Sequence, residues 1–417
     1  MFPECIDCRG VRSMCGINPC PLLSQVSKKL PTYEISAFDE MVGPSPPSVF
    51  IGRYGYPDVR VGPSAFWSLK NEEFNNHITG DPADLFGRNI EEVAIRHSNL
   101  ITGSSKAKIS SPLTPTKILQ TTQEIAMASK SVDIEMNFAK KVKLNGTPSF
   151  DTMSTPLGQT GEVLRAEIIG NSHIPRKVDS IVEETDLLTN DAIKELGISS
   201  IGESHISRLL STGLLGKKED RKLVPTRWSI TATDDMISKN LWEKIRDYNS
   251  IDKTLVYTST YLDNSFYIIL TPGIWAYQMI ENWTEGSLWS ELNQPSKTLQ
   301  QFVEVKTDWE DVFPRTDYAS NVTGAYYAAK LGVLESLNKV RKSASCLVWR
   351  DIGPGYWAPV GVWLIRETVR DAMNQQPKIF DSLNFAVDHL SKIISSPNEL
   401  KNSWFVKHQE QTRLDSF

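Results

Sequence analysis

No apolar run in this chain approaches the roughly 20 residues that cross a bilayer, and Met1-Phe-Pro-Glu-Cys5 has neither the basic nor the apolar segment of a secretory leader. A cytoplasmic location with no membrane partner is therefore expected. Excess positive charge is missing too. Lys and Arg number 45 against 50 Asp and Glu, giving a net charge of -5. A broadly basic coat for nucleic acid is thereby excluded, and any contact with DNA must rest on local patches. The chain also contains no phosphate-binding P-loop, no Gly-x-Ser-x-Gly elbow and no His-Glu-x-x-His. Its six histidines (His77, His97, His173, His205, His389 and His408) are not paired at ligand spacing. The default for each is a structural or exposed role.

Cysteine is scarce and unevenly placed. Of five, four fall in the first twenty residues, as Cys5-x2-Cys8-x6-Cys15-x4-Cys20, with Gly10, Gly16 and Pro19 available for tight turns. In a reducing compartment such a cluster points to metal rather than disulfides. Four thiolates suit structural zinc, which needs no open coordination position. An iron-sulfur cluster accepts the same donors, so zinc and iron-sulfur remain alternatives on spacing alone. Cys346, inside Ala344-Ser-Cys-Leu-Val-Trp349, reads as a buried small hydrophobe.

The body has 40% hydrophobic and 23% charged residues over 417 positions, enough for more than one core. Helical spacing recurs near 85–98, 116–131, 180–215 and 324–339. Strand patterns occupy 49–51, 59–61, 345–351 and a hairpin across 255–270. The expected class is α+β: a mixed multi-domain body with a small amino-terminal zinc-binding element and a flexible carboxy-terminal tail. Ten of the eleven tryptophans lie from Trp228 onward, which places a boundary near 225. The expected division is 1–25 (four-cysteine element), 26–224 (mixed α/β), 225–396 (Trp-rich α/β) and 397–417 (tail). Gly202-Glu-Ser-His-Ile-Ser-Arg-Leu-Leu-Ser-Thr-Gly213 has the look of a helix-turn-helix recognition segment.

Several residues invite a chemical role. Arg53, Tyr54 and Tyr56 lie in a glycine- and proline-rich hairpin, where they could contact phosphate and stack on a base. Arg227 follows a basic loop, and Arg350, Tyr356 and Arg366 form a second set suited to a nucleotide or damaged DNA. Glu304-Val-Lys306-Thr-Asp308 carries the Glu-x-Lys of Mg²⁺-dependent nucleases, in which the acid helps hold the ion. Glu304, Lys306 and Asp308 are therefore the catalytic candidates, with ordinary surface charge as the plainer account. Whether the chain is an enzyme, as a Mg²⁺-dependent nuclease or a nucleotide hydrolase or transferase, is left open by these motifs.

The chain ends in Gln411-Thr-Arg-Leu414-Asp-Ser-Phe417, which resembles the peptide that docks replication and repair proteins on the sliding clamp PCNA. One 3₁₀ turn would set Leu414 and Phe417 on the same side to fill an apolar pocket, with Gln411 at its rim. The usual second aromatic is missing, because the chain stops at Phe417.

Together with Pro46-Pro-Ser-Val-Phe-Ile-Gly-Arg53, Val224-Pro-Thr-Arg-Trp-Ser-Ile-Thr-Ala-Thr-Asp-Asp235 and Pro359-Val-Gly-Val-Trp-Leu-Ile-Arg-Glu367, these features resemble the archaeal Nre family of DNA-repair proteins over essentially the whole chain. The resemblance implies a part in the response to DNA damage, an amino-terminal zinc-binding element and a carboxy-terminal PCNA peptide. It brings no reaction with it. The expected function is a repair factor recruited to DNA through PCNA, nucleoid-associated, with a body that binds nucleotide or damaged DNA. The alternative is a metal-dependent nuclease or other nucleotide-processing enzyme.

Overall fold

The computed structural model describes residues 5–8, 14–17, 20–28, 37–66, 81–143, 150, 154–155, 157–289 and 304–414, with the backbone alone at 6, 7, 23, 27, 98, 304 and 411–414. The chain divides into two compact units. One is Ser24–Ile237; the other is Ser238–Phe417 together with Met1–Leu23. Two short helices open the described chain, α1 (Cys5–Cys8) and α2 (Pro21–Lys28).

The first unit is built on six strands: β1 (Phe38–Ser45), β2 (Val49–Ile51), β3 (Asp58–Phe66), β4 (Leu100–Lys108), β5 (Val132–Val142) and β6 (Thr160–Ile169). Their order is β1-β5-β6-β4-β3-β2, antiparallel throughout except for a parallel β4–β6 pair. Strand β5 alternates buried and open residues along Val132–Phe138, the signature of a sheet with one face in a core. That face takes Ile134, Met136 and Phe138 against helical residues such as Ile125, Ile193 and Leu209. Gly62 and Gly103 let β3 and β4 approach closely, since a Cβ on Gly62 would collide with the Gly103 carbonyl.

Among its described residues this unit carries helices α3 (Ile90–Ser98), α4 (Lys117–Met127), α5 (Arg176–Glu183), α6 (Thr189–Ile198) and α7 (Glu203–Ser211). Asn89 and Thr116 cap α3 and α4 by accepting the Glu92 and Leu119 amides. Helix α7 buries His205, Ile206, Leu209 and Leu210, and Glu203 and Ser207 besides. It therefore presents no open face to a DNA groove, and the helix-turn-helix expectation is corrected. The periodicity that suggested a recognition helix is the periodicity of packing.

Helix α8 (Thr226–Ile245) contains the division between the units. The second unit carries β7 (Thr254–Tyr261), β8 (Asn264–Thr271), β9 (Tyr277–Trp283), β10 (Glu304–Glu310), β11 (Ser345–Ile352) and β12 (Lys378–Phe380). They lie in the order β10-β9-β11-β8-β7-β12, with β9 and β11 parallel and the rest antiparallel. The β7–β8 hairpin turns on Leu262-Asp263, both at positive φ, the backbone of a two-residue primed turn.

Helices α9 (Gly324–Val340) and α10 (Trp363–Asn374) cover one side of this second sheet. The other side takes α11 (Leu383–Leu390), α12 (Pro397–Lys401) and α13 (Trp404–Leu414) over Val256, Ile269, Ile280, Leu347 and Trp349. With both faces covered, β9 and β11 are buried along almost their whole length. Each large apolar side chain so enclosed contributes about 1.5–3 kcal/mol.

The stretch from 397, expected to belong to a tether, is part of this core as far as Val406, because Leu400, Phe405 and Val406 are buried in it. Ser-Ser-Pro marks the start of α12 rather than the end of the fold, since proline suits the first turn of a helix. Of the residues expected to dock on PCNA, Gln411 and Leu414 have helical backbone, and Phe417 lies outside the described residues. Among the described residues no helix is long and apolar enough to cross a membrane.

Candidate functional site

In the first unit, β2 and β3 are joined by residues 52–57. The Gly52 amide donates to the Arg60 carbonyl at 2.7 Å and the Asp58 amide to the Gly55 carbonyl at 2.9 Å. Gly55 has φ +84°, and a Cβ there would lie 2.7 Å from the Asp58 oxygen, so the turn requires glycine. The Tyr56–Pro57 peptide is cis.

This tight tip pushes its aromatic side chains into solvent: Tyr54 is 73% exposed and Tyr56 51%. Arg53 Nη2 donates to Tyr54 Oη at 2.9 Å, and its guanidinium stands 4.7 Å from the Tyr54 ring centre. Three backbone bonds lace distant segments to the tip: Ile109 N to Pro57 O at 3.0 Å, Leu223 N to Ile109 O at 2.8 Å and Val224 N to Ser211 O at 2.9 Å. Thr226 Oγ1 then accepts the Ile51 amide at 2.9 Å, holding the first turn of α8 beside β2.

The result sets Trp228, 45% exposed, against Tyr56 with ring centres 5.5 Å apart. Of the sequence candidates, Arg53, Tyr54 and Tyr56 meet here, with Arg227 one residue from the indole. Trp228 was not among them. Its signal was its place in Val224–Asp235, beside Arg227 and ahead of the tryptophan-rich half. Exposed aromatic faces next to guanidinium groups can stack on bases and hold phosphates.

The candidates of the second unit are arranged differently. Glu304 begins β10 with only its backbone described, and Lys306 stands opposite Glu281. Asp308 takes Arg315 Nη1 at 3.1 Å and the Asn321 and Val322 amides at 2.9 and 2.7 Å. Glu310 takes Lys330 Nζ at 2.8 Å, Trp275 Nε1 at 2.9 Å and the Arg315 amide at 3.1 Å. Both carboxylates are buried and committed to fixing β10 against the start of α9. Among the described residues no three His, Cys, Asp or Glu side chains are gathered as metal ligands.

Arg350 is buried likewise. It donates from Nη1 to Glu281 and from Nε to Asn264 Oδ1 at 3.0 Å, with the Phe266 and Tyr356 rings 5.7 and 5.6 Å from its guanidinium carbon. Tyr356 accepts the Val360 amide at 3.2 Å, and burial raises its pKa. Arg366 lies in the buried face of α10. These three shape the interior of the unit rather than an open contact surface.

Cys5 and Cys8 share α1, Cys15 is exposed and Cys20 directly precedes α2; none is in a disulfide. Burial raises the Cys5 pKa, and the charges of Cys20, Cys8 and Cys15 raise it further. The four sulfurs are not gathered to ligand separation. As a donor set they fit a divalent ion, which would neutralise the repulsion among thiolates. Cys346 is fully buried, and burial holds its pKa well above the usual thiol value. His97 and His205 are buried in the first unit, which lowers each pKa to about 3 and keeps the rings neutral.

Comparison with known proteins covers nearly the whole chain. The family described as archaeal Nre, N-terminal, matches residues 14–290, and archaeal Nre, C-terminal, matches residues 310–417. The chain is 33% identical to the DNA repair protein NreA of Archaeoglobus fulgidus, covering 99% of this chain and 98% of that one. It is 34% identical to NreB of the same organism, covering 99% of this chain and 100% of that one. NreA of Haloferax volcanii is 31% identical over 85% of this chain and 83% of its own. No solved structure matches.

Proposed function

This chain belongs to the archaeal Nre family, and on that premise we propose that it is a DNA-repair factor brought to DNA by the sliding clamp PCNA. The observation that carries the repair part of the reading is 33–34% identity, along 99% of its length, with proteins named for DNA repair. The geometry agrees with it. The first unit offers an open aromatic and basic surface at Arg53, Tyr54, Tyr56 and Trp228, a surface that can touch nucleotide or damaged DNA. Asp308 and Glu310 are already engaged by Arg315 and Lys330, which favours a binding role for the body over Mg²⁺-dependent cleavage.

Gln411, Leu414 and Phe417 dock on the clamp. Phe417 closes the apolar plug that Leu414 begins, and Gln411 hydrogen-bonds at the pocket rim. Docking raises the local concentration of the open surface at DNA without requiring a tight intrinsic site. Cys5, Cys8, Cys15 and Cys20 hold zinc, which supplies structural stability to a segment with little apolar sequence of its own. A four-sulfur set has no position for substrate, so the metal has no hydrolytic task.

The test is clamp retention by the full chain, by Phe417→Ala and by a chain lacking residues 411–417. Loss in both variants is expected. Equal retention of all three would remove the docking claim.

A further inference from the structure

We propose that the open face of β3 and β4 beside Trp228 is a track for single-stranded DNA. The inference rests on the repair reading and names the form of DNA that the first unit takes. Its starting point is a like-charge pair. In the β3–β4 register Arg60 stands directly opposite Lys106, and both are exposed. Like charges facing one another across an antiparallel pair are destabilising, so the sheet tolerates a cost here that an anion would relieve. The next pair toward the tip is Asp58 opposite Lys108, which is balanced.

Neither Arg60 nor Lys106 has an acidic partner within ion-pair distance among the described residues. Arg60 Nη1 donates only to Ser104 Oγ, at 3.3 Å. Glu162, opposite Ser104 in the parallel β4–β6 register, is the acid placed nearest on the adjoining strand, and it pairs with neither cation. On the other side of β3, Val59 and Val61 are locked into a core with Ile51 and Leu119. That fixes the side from which Arg60 and Lys106 project.

The same strand runs from this cation pair back to the aromatic tip. Base faces are met at Tyr54, Tyr56 and Trp228, and backbone phosphates at Arg60 and Lys106. Such a path needs unpaired bases, because in a duplex the base faces are covered by stacking. Alternating stacking platforms and cations are what a single strand requires, and they discriminate little among bases.

The experiment is fluorescence anisotropy with the full chain, using a labelled thymidine oligomer and a blunt duplex of equal length across a salt series. The oligomer is expected to bind more tightly than the duplex. Trp228→Ala and Tyr54→Ala should each weaken it by roughly tenfold, the scale of one lost stacking contact. Arg60→Gln combined with Lys106→Gln should reduce the slope of log K against log salt by about 1.4, two phosphates at ~0.7 each. Tyr54 is largely exposed, so its variant reports on binding without disturbing the core. A duplex bound as tightly as the oligomer, or variants with unchanged affinity and slope, would overturn the track while leaving DNA binding in place. Binding of neither DNA would remove the track and, with it, the DNA contact in the repair reading, whereas the clamp assay would be untouched.

Discussion

The indole of Trp404 lies flat on that of Trp309, with ring centres 4.3 Å apart and planes 12° from parallel. His408 stacks on Trp404 in turn, at 4.6 Å, and its Nε2 stands 3.3 Å from Asp311. Three rings therefore fasten α13 to β10, and the Phe405 amide adds a bond to Gln278 Oε1 at 2.8 Å. Gln411, the first residue proposed for clamp docking, follows this anchor by three residues on the same helix.

From this joint follows a first prediction. Trp404→Ala removes the central ring of the stack and leaves a space under α13, at a cost of about 3 kcal/mol. Chemical denaturation should show that loss. A change under about 0.5 kcal/mol would mean that the stack holds nothing in place.

The buried pair of Lys330 and Glu310 supports a second. Both side chains are essentially inaccessible, with 2.8 Å between nitrogen and oxygen. Removing one partner strands the other charge away from water, a loss of about 3–5 kcal/mol. Lys330→Met should therefore unfold at markedly lower denaturant. Adding Glu310→Gln removes the stranded charge, while its amide oxygen can still accept from Trp275. The double variant should be the more stable of the two, and a more damaged double variant would contradict the ion-pair account.

A third concerns pH. Burial, aided by Arg96 for His97 and by Arg208 for His205, lowers both folded pKa values to about 3, against 6.5 when unfolded. Between those limits the unfolded chain binds more protons than the folded one, so stability falls as pH falls. The contribution is complete above about pH 6.5 and declines by up to ~1.4 kcal/mol per pH unit for each ring. His97→Leu should flatten the pH dependence between 4 and 6 in denaturation curves. An unchanged slope would show that the ring is not held neutral.

Legibility in the sequence followed the range of the interactions. The β7–β8 hairpin, the buried helix α9 and the two strands around Arg53 were readable because short-range periodicity and turn residues specify them. The parallel β4–β6 and β9–β11 pairs were not, since their partners come from distant segments and no local pattern encodes that choice. At the site, Tyr54 and Tyr56 could be named from composition. Trp228 becomes their neighbour only through bonds linking Pro57, Ile109 and Leu223. Arg350 and Arg366 drew notice as charges, but the sequence does not show that the fold encloses them.

The amino-terminal cysteines carry the last prediction. Burial first, and then the charges of Cys20, Cys8 and Cys15, hold the Cys5 thiol above its usual pKa, so without a metal each deprotonation there opposes the next. Binding a divalent ion reverses the balance: thiolates become ligands and their mutual repulsion is offset. Elemental analysis of the purified chain should find one zinc per molecule, lost on Cys8→Ser substitution together with part of the thermal stability. Serine keeps the size of the side chain but is a poor ligand for the metal, so the loss separates coordination from packing. Brown colour with iron in place of zinc would assign the same sulfurs to an iron-sulfur cluster. A colourless, metal-free protein with unaltered stability in the Cys8→Ser variant would remove the zinc assignment.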